Sequence, residues 1–191
     1  MEFMDEEIIK MRQRNRKISL EDGVYIKGEF IEFEEVKLFD DKIAITLPKT
    51  FIDMPKKIAQ IKYPSNQRPQ IIKTDLLGAT NFTFSLIAQH LESEQLEQVA
   101  NMFENTIKKV HPANVFYDKG TEDIGKLKFS WFDFKGYAID SQMYYLYYVT
   151  IIDGNLLHGV FSCISQELEH YKEVAFLIMR SIKDLRGEKN A

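Results

Sequence analysis

Apolar and polar residues alternate along much of the chain with the period of two that is typical of β-strands. In Thr80–Ala88, for example, apolar side chains point to one face and polar ones to the other. The same kind of pattern predicts a set of short strands. These are Val24–Phe33 with a bend at Gly28, Val36–Phe39, Ile43–Leu47, Ile58–Tyr63, Gln70–Thr74, Thr80–Ala88, Val115–Tyr117, Lys126–Phe134, Met143–Ile152 and Leu156–Cys163.

Turn residues separate several of these strands. Asp40-Asp41 predicts a tight hairpin connection, and Pro48 ends the run after it because proline has no N–H for a sheet ladder. Asp153-Gly154 predicts a type I′ hairpin, since both central residues of that turn need a positive φ.

The segment Met143–Ile152 is apolar on both faces. Tyr145, Tyr147 and Val149 fall on one side, whereas Leu146, Tyr148 and Ile152 fall on the other. A strand of this kind is expected in the middle of a sheet, covered above and below.

Two long segments have helical spacing instead. The first, Ser93–Val110, carries an apolar stripe and is predicted to begin at Ser93 as N-cap and to end before Pro112. The second, Ser165–Leu185, is predicted to close the fold and to end at Gly187.

The order strands, helix, strands, helix predicts the α+β class, with one antiparallel sheet covered by two amphipathic helices. Residues 20–187 are expected to form one domain. Residues 1–19 form a charged leader, whose basic cluster is Arg12, Arg14, Arg16 and Lys17. The leader is interpreted as a weakly docked terminus, with a partner-docking arm or a membrane-surface contact as alternatives.

Composition narrows the class of protein. With 191 residues and 45% hydrophobic content the chain can bury a sizeable core, and its net charge of -4 argues against general nucleic-acid binding. The N-terminus lacks the apolar core of a signal peptide, and no segment approaches the roughly 20 apolar residues of a membrane span. The sequence therefore predicts a soluble, cytoplasmic protein.

Catalytic and metal-binding signatures are absent from the sequence. Cys163 is the single cysteine, and alternation places it on the opposite face of its strand from His158, which is a poor arrangement for a nucleophile and its base. The four histidines have no metal-ligand spacing. No catalytic residue, metal ion or cofactor is predicted, and an enzyme is the less favoured interpretation.

Aromatic residues supply the candidate binding site. The strand around Trp131 and Phe132 is interpreted either as a core strand or, with nearby tyrosines, as a pocket or docking surface. The candidate residues are Trp131, Phe132, Tyr137, Tyr144 and Tyr145, with His158 as the first residue to inspect beside a pocket.

Several short motifs share one pattern: Ile45-Thr46-Leu47-Pro48, Phe51, Tyr63-Pro64, Asn81-Phe82-Thr83-Phe84 and a C-terminal helix that ends in Ser181-Ile182-Lys183. Together they resemble the PsbP-like superfamily, which includes photosystem II extrinsic protein P and the Ran-binding Mog protein. The resemblance covers about residues 42–185, and it implies an antiparallel sheet in α/β/α layering with the strands before Ile43 as additions. Members are typically non-enzymatic binding or assembly factors.

These observations favour a non-catalytic factor that binds another protein and is a monomer or weak homodimer. One alternative is a small-molecule carrier or unusual hydrolase with an aromatic pocket near Trp131, Tyr145 and His158. Another is a chaperone or accessory subunit of a bacterial secretion system.

Overall fold

The computed structural model describes residues 18–138 and 141–186. Within these ranges lie three α-helices: α1 (Lys56–Lys62), α2 (Leu96–Val110) and α3 (Leu168–Arg180). The strands are β1 (Val24–Ile26), β2 (Glu29–Ile31), β3 (Phe33–Leu38), β4 (Ile43–Pro48), β5 (Ile52–Asp53), β6 (Ile71–Thr74), β7 (Asn81–Ile87), β8 (Val115–Ile124), β9 (Leu127–Tyr137), β10 (Gln142–Ile152), β11 (Asn155–Ile164) and β12 (Lys183–Asp184).

Most strands join one seven-stranded antiparallel sheet, in the order β5-β6-β7-β11-β10-β9-β8. A smaller sheet has the order β12-β4-β3, and β1 and β2 form a separate hairpin. The predicted α+β class and the antiparallel pairing are confirmed, but the described strands form three sheets rather than the single sheet predicted. The helices pack against the sheets.

Strand β10 pairs with β9 on one side and β11 on the other. On one of its faces, Tyr144, Leu146 and Tyr148 pack in a cluster with α3 and with the small sheet. On its opposite face, Tyr147 and Val149 pack in a second cluster with α2. Both faces of β10 are therefore buried, as its two-sided apolar pattern predicts.

The Asp153-Gly154 hairpin is confirmed, with φ values of 52° and 70°. The Asp40-Asp41 connection between β3 and β4 is also present, with positive φ at both aspartates. Helix α2 is confirmed as well, but its start differs in detail. A 3₁₀ turn precedes it, and Glu92 rather than Ser93 caps that turn in a capping box with Gln95.

The prediction of a strand over Ile58–Tyr63 was wrong, because this segment lies in and directly after helix α1. Pro55 occupies the N-cap position, where its missing N–H costs no helical hydrogen bond. Ala59 and Tyr63, one helical turn apart, pack inward on Met54 and Ile72. The two isoleucines of the segment, Ile58 and Ile61, are exposed, so the apolar pattern here does not mark the buried face.

Two other boundaries were also wrong. The predicted strand Val24–Phe33 is a hairpin, since Lys27 and Gly28 have φ values of 55° and 85° and turn the chain back between β1 and β2. Strand β8 runs to Ile124 rather than ending at Tyr117. The prediction ended it too early because the polar residues of an edge strand hide its alternation.

The closing helix is shorter than predicted and ends at Arg180. The Ser181 hydroxyl donates to the Ile178 carbonyl (2.7 Å) and accepts the Thr46 N–H (2.9 Å). This contact directs the chain onto β4, with which β12 pairs. Residues 1–17 of the predicted leader and the predicted terminator Gly187 lie outside the described residues.

Candidate binding surface at the free sheet edge

The large sheet separates the six residues predicted to form a binding site. Trp131 packs edge-on against Phe176 of α3, with ring centroids 4.7 Å apart, so it lies on the opposite face from the α2 cluster. The six therefore do not converge on one pocket. Trp131 and Tyr144 lie on the face of the large sheet that packs against α3, which we name the α3 face. Phe132, Tyr145 and His158 lie on the opposite face, which packs against α2 and which we name the α2 face. Tyr137 is exposed and ends β9.

His158 is enclosed by aromatic rings. It stacks on Tyr147 at 4.3 Å and on Phe103 at 5.5 Å between centroids, and its buried Nε2 has no hydrogen-bond partner among the described residues. Burial lowers the pKa of His158 to about 4, so the ring is neutral at neutral pH.

Cys163 faces the other way, in the α3 cluster, and burial raises the pKa of its thiol to about 12. Cys163 and His158 therefore lie on opposite faces of the large sheet and cannot act together as a nucleophile and its base. Within residues 18–138 and 141–186, no group of three His, Cys, Asp or Glu side chains is arranged to hold a metal ion.

A buried carboxylate organises the outer end of the α3 face. Asp133 is fully buried in β9 between Phe132 and Phe134. Its Oδ1 accepts the Asp118 N–H (2.8 Å), and its Oδ2 accepts the Tyr144 hydroxyl (2.8 Å) and the Lys172 ammonium (2.7 Å). Because every partner donates to the same charge, Asp133 fixes β8, β10 and α3 relative to one another.

The pKa values of the two titratable donors reflect this arrangement. Burial, and then the charge of Asp133, raises the pKa of Tyr144 far above its usual range. Partial burial lowers the pKa of Lys172, but the hydrogen bond and charge of Asp133 outweigh it, so this pKa is raised. Both groups remain protonated at neutral pH.

Asp133 also holds a β-bulge in the edge strand β8. Between the pairs Phe116–Phe134 and Lys119–Phe132, Tyr117 and Asp118 together oppose Asp133. The bulge leaves Tyr117 44% exposed, with the Lys172 ammonium 5.8 Å from its ring centroid.

Tyr117 belongs to a group of exposed and half-buried residues that we name the edge surface, comprising Val115, Tyr117, Tyr137, Lys135 and Lys172. Lys135 and Tyr137 follow Asp133 at two-residue steps and share its face, and Val115 pairs with Lys135. The three apolar or aromatic members are 43%, 44% and 50% exposed, and β8 is the last strand of its sheet within the described part of the chain. Such a surface offers both rings and an open strand edge to a partner.

Sequence reasoning included Tyr137 and Tyr144 but missed Tyr117, Asp133 and Lys172. One signal was available for Asp133, because a carboxylate in the middle of an apolar strand needs a buried partner. Nothing in the local sequence identified Lys172 as that partner.

Comparison with solved structures shows what the fold resembles. Cyanobacterial PsbP (CyanoP) from Synechocystis sp. PCC 6803 aligns with a TM-score of 0.59 at 15% identity, over 80% of this chain and 92% of that one. LpqN of Mycobacterium tuberculosis, described as involved in cell envelope biogenesis, aligns with a TM-score of 0.51 at 12% identity, over 83% and 94%. The expected PsbP-like fold is confirmed.

No protein-family model and no curated protein sequence matches the chain. No helix in the described ranges has the length and apolar character needed to cross a membrane.

Proposed function

We propose that the chain is a non-catalytic accessory or assembly factor that binds another protein through the edge surface. The observation that carries the proposal is the exposure of Tyr117 and Tyr137 beside a free strand, held in place by the buried Asp133 network. Tyrosine is favoured at protein interfaces because it combines a large contact area with one polar group and few rotatable bonds.

Three buried or half-buried residues of the predicted site, Tyr144, Phe132 and Tyr145, lie behind the edge surface and support it. Tyr144 helps to anchor Asp133, whereas Phe132 stacks on Tyr147 (4.7 Å) and Tyr145 on Phe134 (4.9 Å) behind the edge. The bulge interrupts the ladder at Tyr117, so an added partner strand would pair with the regular part of β8 beyond it, while the tyrosines contact partner side chains.

A photo-crosslinking amino acid at position 117 tests this proposal. We expect it to capture a specific protein, whereas the same group at Tyr25, which is 63% exposed on the β1–β2 hairpin, should not. With the captured protein purified, Tyr117→Ser and Tyr137→Ser should each weaken binding at least about tenfold, and the control Tyr25→Ser should not. Unchanged affinity in both edge variants would reject the proposed surface.

A small-molecule carrier is the second candidate, favoured by buried polar atoms on the α2 face. The Tyr147 hydroxyl and His158 Nε2 have no hydrogen-bond partner among the described residues, and a ligand with polar groups would supply one. Native mass spectrometry of the purified chain tests this candidate. A co-purifying small molecule that is lost in His158→Phe supports it, and an unliganded mass rejects it.

We further propose that residues 20–187 act as one cytoplasmic domain, monomeric or weakly dimeric. Limited proteolysis followed by light scattering of the resistant fragment measures both properties. Cleavage between the sheets, or a stable higher oligomer, would contradict this arrangement.

A further inference from the structure

Helix α1 and the turn between β6 and β7 expose four aliphatic side chains on the far side of the fold from the edge surface. Ile58 is 49% exposed, Ile61 81%, Leu76 77% and Leu77 91%. We name this group the aliphatic patch. Isolated exposed aliphatic residues are ordinary on a protein surface, but four on two neighbouring protrusions form a feature that water solvates poorly.

The two protrusions touch each other. The Lys62 ammonium at the end of α1 donates to the carbonyl of Gly78, which closes the β6–β7 turn, at 2.5 Å. Ile58 and Ile61 lie one helical turn apart beside Lys62, and the inward residue Ala59 keeps them turned outward.

The turn itself holds its leucines in solvent. The Gly78 N–H donates to the Asp75 carbonyl (3.1 Å), and the Ala79 N–H donates to Asp75 Oδ1 (2.8 Å). Gly78 has a φ of 73°, which closes the turn without strain. Leu76 and Leu77 therefore cannot fold back onto the core without breaking these bonds.

Three lysines of α1 place positive charge beside the aliphatic patch. Lys56 and Lys57 form no ion pair with any described residue, and Lys62 donates to a carbonyl while the charge of Asp75 acts on it. Two acids lie near these lysines. Asp53 pairs with Lys73 (2.8 Å), and Asp75 accepts the Ala79 N–H while its charge attracts Lys62. Lys56, Lys57, Lys62 and Lys73 therefore outnumber the two acids. The patch is thus locally basic in a chain whose net charge is -4.

We propose that the aliphatic patch docks on an anionic phospholipid bilayer. Protein interfaces favour Tyr, Trp and Arg and are depleted in Lys, and leucine is rare among their energetic centres. The edge surface has tyrosines, whereas this patch has only Ile, Leu and Lys. Protruding aliphatic side chains insert among acyl chains while lysines contact anionic headgroups, which fits this composition and shape.

Vesicle flotation of the full chain tests the proposal, using phosphatidylcholine vesicles with and without phosphatidylglycerol. We expect binding only to the anionic vesicles and weakening at high salt. Lys56→Gln with Lys57→Gln should weaken binding about 25-fold, about fivefold per lysine. Leu76→Ser with Leu77→Ser should weaken it at least about tenfold.

The matched control is Val110→Ser, which removes an aliphatic side chain that is 64% exposed at the end of α2. It should bind vesicles like the wild type, and unchanged urea midpoints should show that all variants are folded. Absence of wild-type binding to anionic vesicles would overturn the proposal, as would equal losses in the control. So would a leucine variant that keeps vesicle binding but loses the protein partner, because the patch would then be a protein interface.

Discussion

The ammonium of Lys172 on helix α3 lies 2.7 Å from Oδ2 of Asp133, a carboxylate that is completely buried in β9. The lysine side chain itself is 37% exposed, so the pair joins the interior of the sheet to the outer surface. Its lysine also lies against Tyr117, which makes the pair the link between the core and the edge surface.

Asp133→Asn should lower the free energy of unfolding by about 2–3 kcal/mol. The amide keeps the shape but removes the charge that offsets Lys172, and partial exposure of the lysine limits the loss. Urea unfolding measures the change. In a double-mutant cycle with Lys172→Met, additive effects would contradict coupling between the two residues.

Gly159→Ala should destabilise the fold by about 3 kcal/mol, because the new Cβ would lie 2.3 Å from the Tyr148 ring, which is itself fully buried. Gly28→Ala is the comparison. Its Cβ meets nothing within 4 Å, so only the positive φ opposes it, at a cost of about 1 kcal/mol. Equal shifts of the urea midpoint in the two variants would show that Tyr148 can move aside.

His158 should make stability depend on pH. Its folded-state pKa of about 4 lies below the ordinary histidine pKa of 6.5, so the unfolded chain takes up the proton first. Its contribution to stability is present above pH 6.5 and is lost as the pH falls towards 4. Between pH 7 and 5 the loss should be about 2 kcal/mol in the wild type relative to His158→Phe. Parallel pH profiles of the two proteins would contradict this assignment.

Cys163 should resist alkylation in the folded protein. Only the thiolate reacts, and burial both raises the thiol pKa to about 12 and blocks access. At pH 8, iodoacetamide should modify the native chain at less than about 1% of the rate in urea. Rapid modification without denaturant would indicate that β11 opens locally.

Sequence patterns predicted the parts of the fold in which local preference and burial agree. The two-sided pattern of Met143–Ile152 identified the central strand, and the stripe beginning at Leu96 identified α2. The pattern failed where apolar residues are exposed, as at Ile58 and Ile61, and where a strand is polar, as over Asp118–Ile124.

The candidate site was less predictable because its geometry depends on contacts between distant segments. Lys172 meets Asp133 only after α3 packs across the sheet, and the bulge that exposes Tyr117 arises from pairing with β9. Aromatic composition alone could not separate Tyr137, at an exposed strand end, from Tyr144 in the interior.

The pairing of Lys183 with Ala44 and of Asp184 with Ile43 joins segments that leave the ribosome at very different times. Strand β4 is therefore synthesised long before its partner β12. Until β12 emerges, one edge of β4 has backbone N–H and C=O groups without a partner strand; this edge is the margin of β4. During synthesis, this margin would be the place where a nascent chain is most exposed to wrong pairing or to capture by a chaperone.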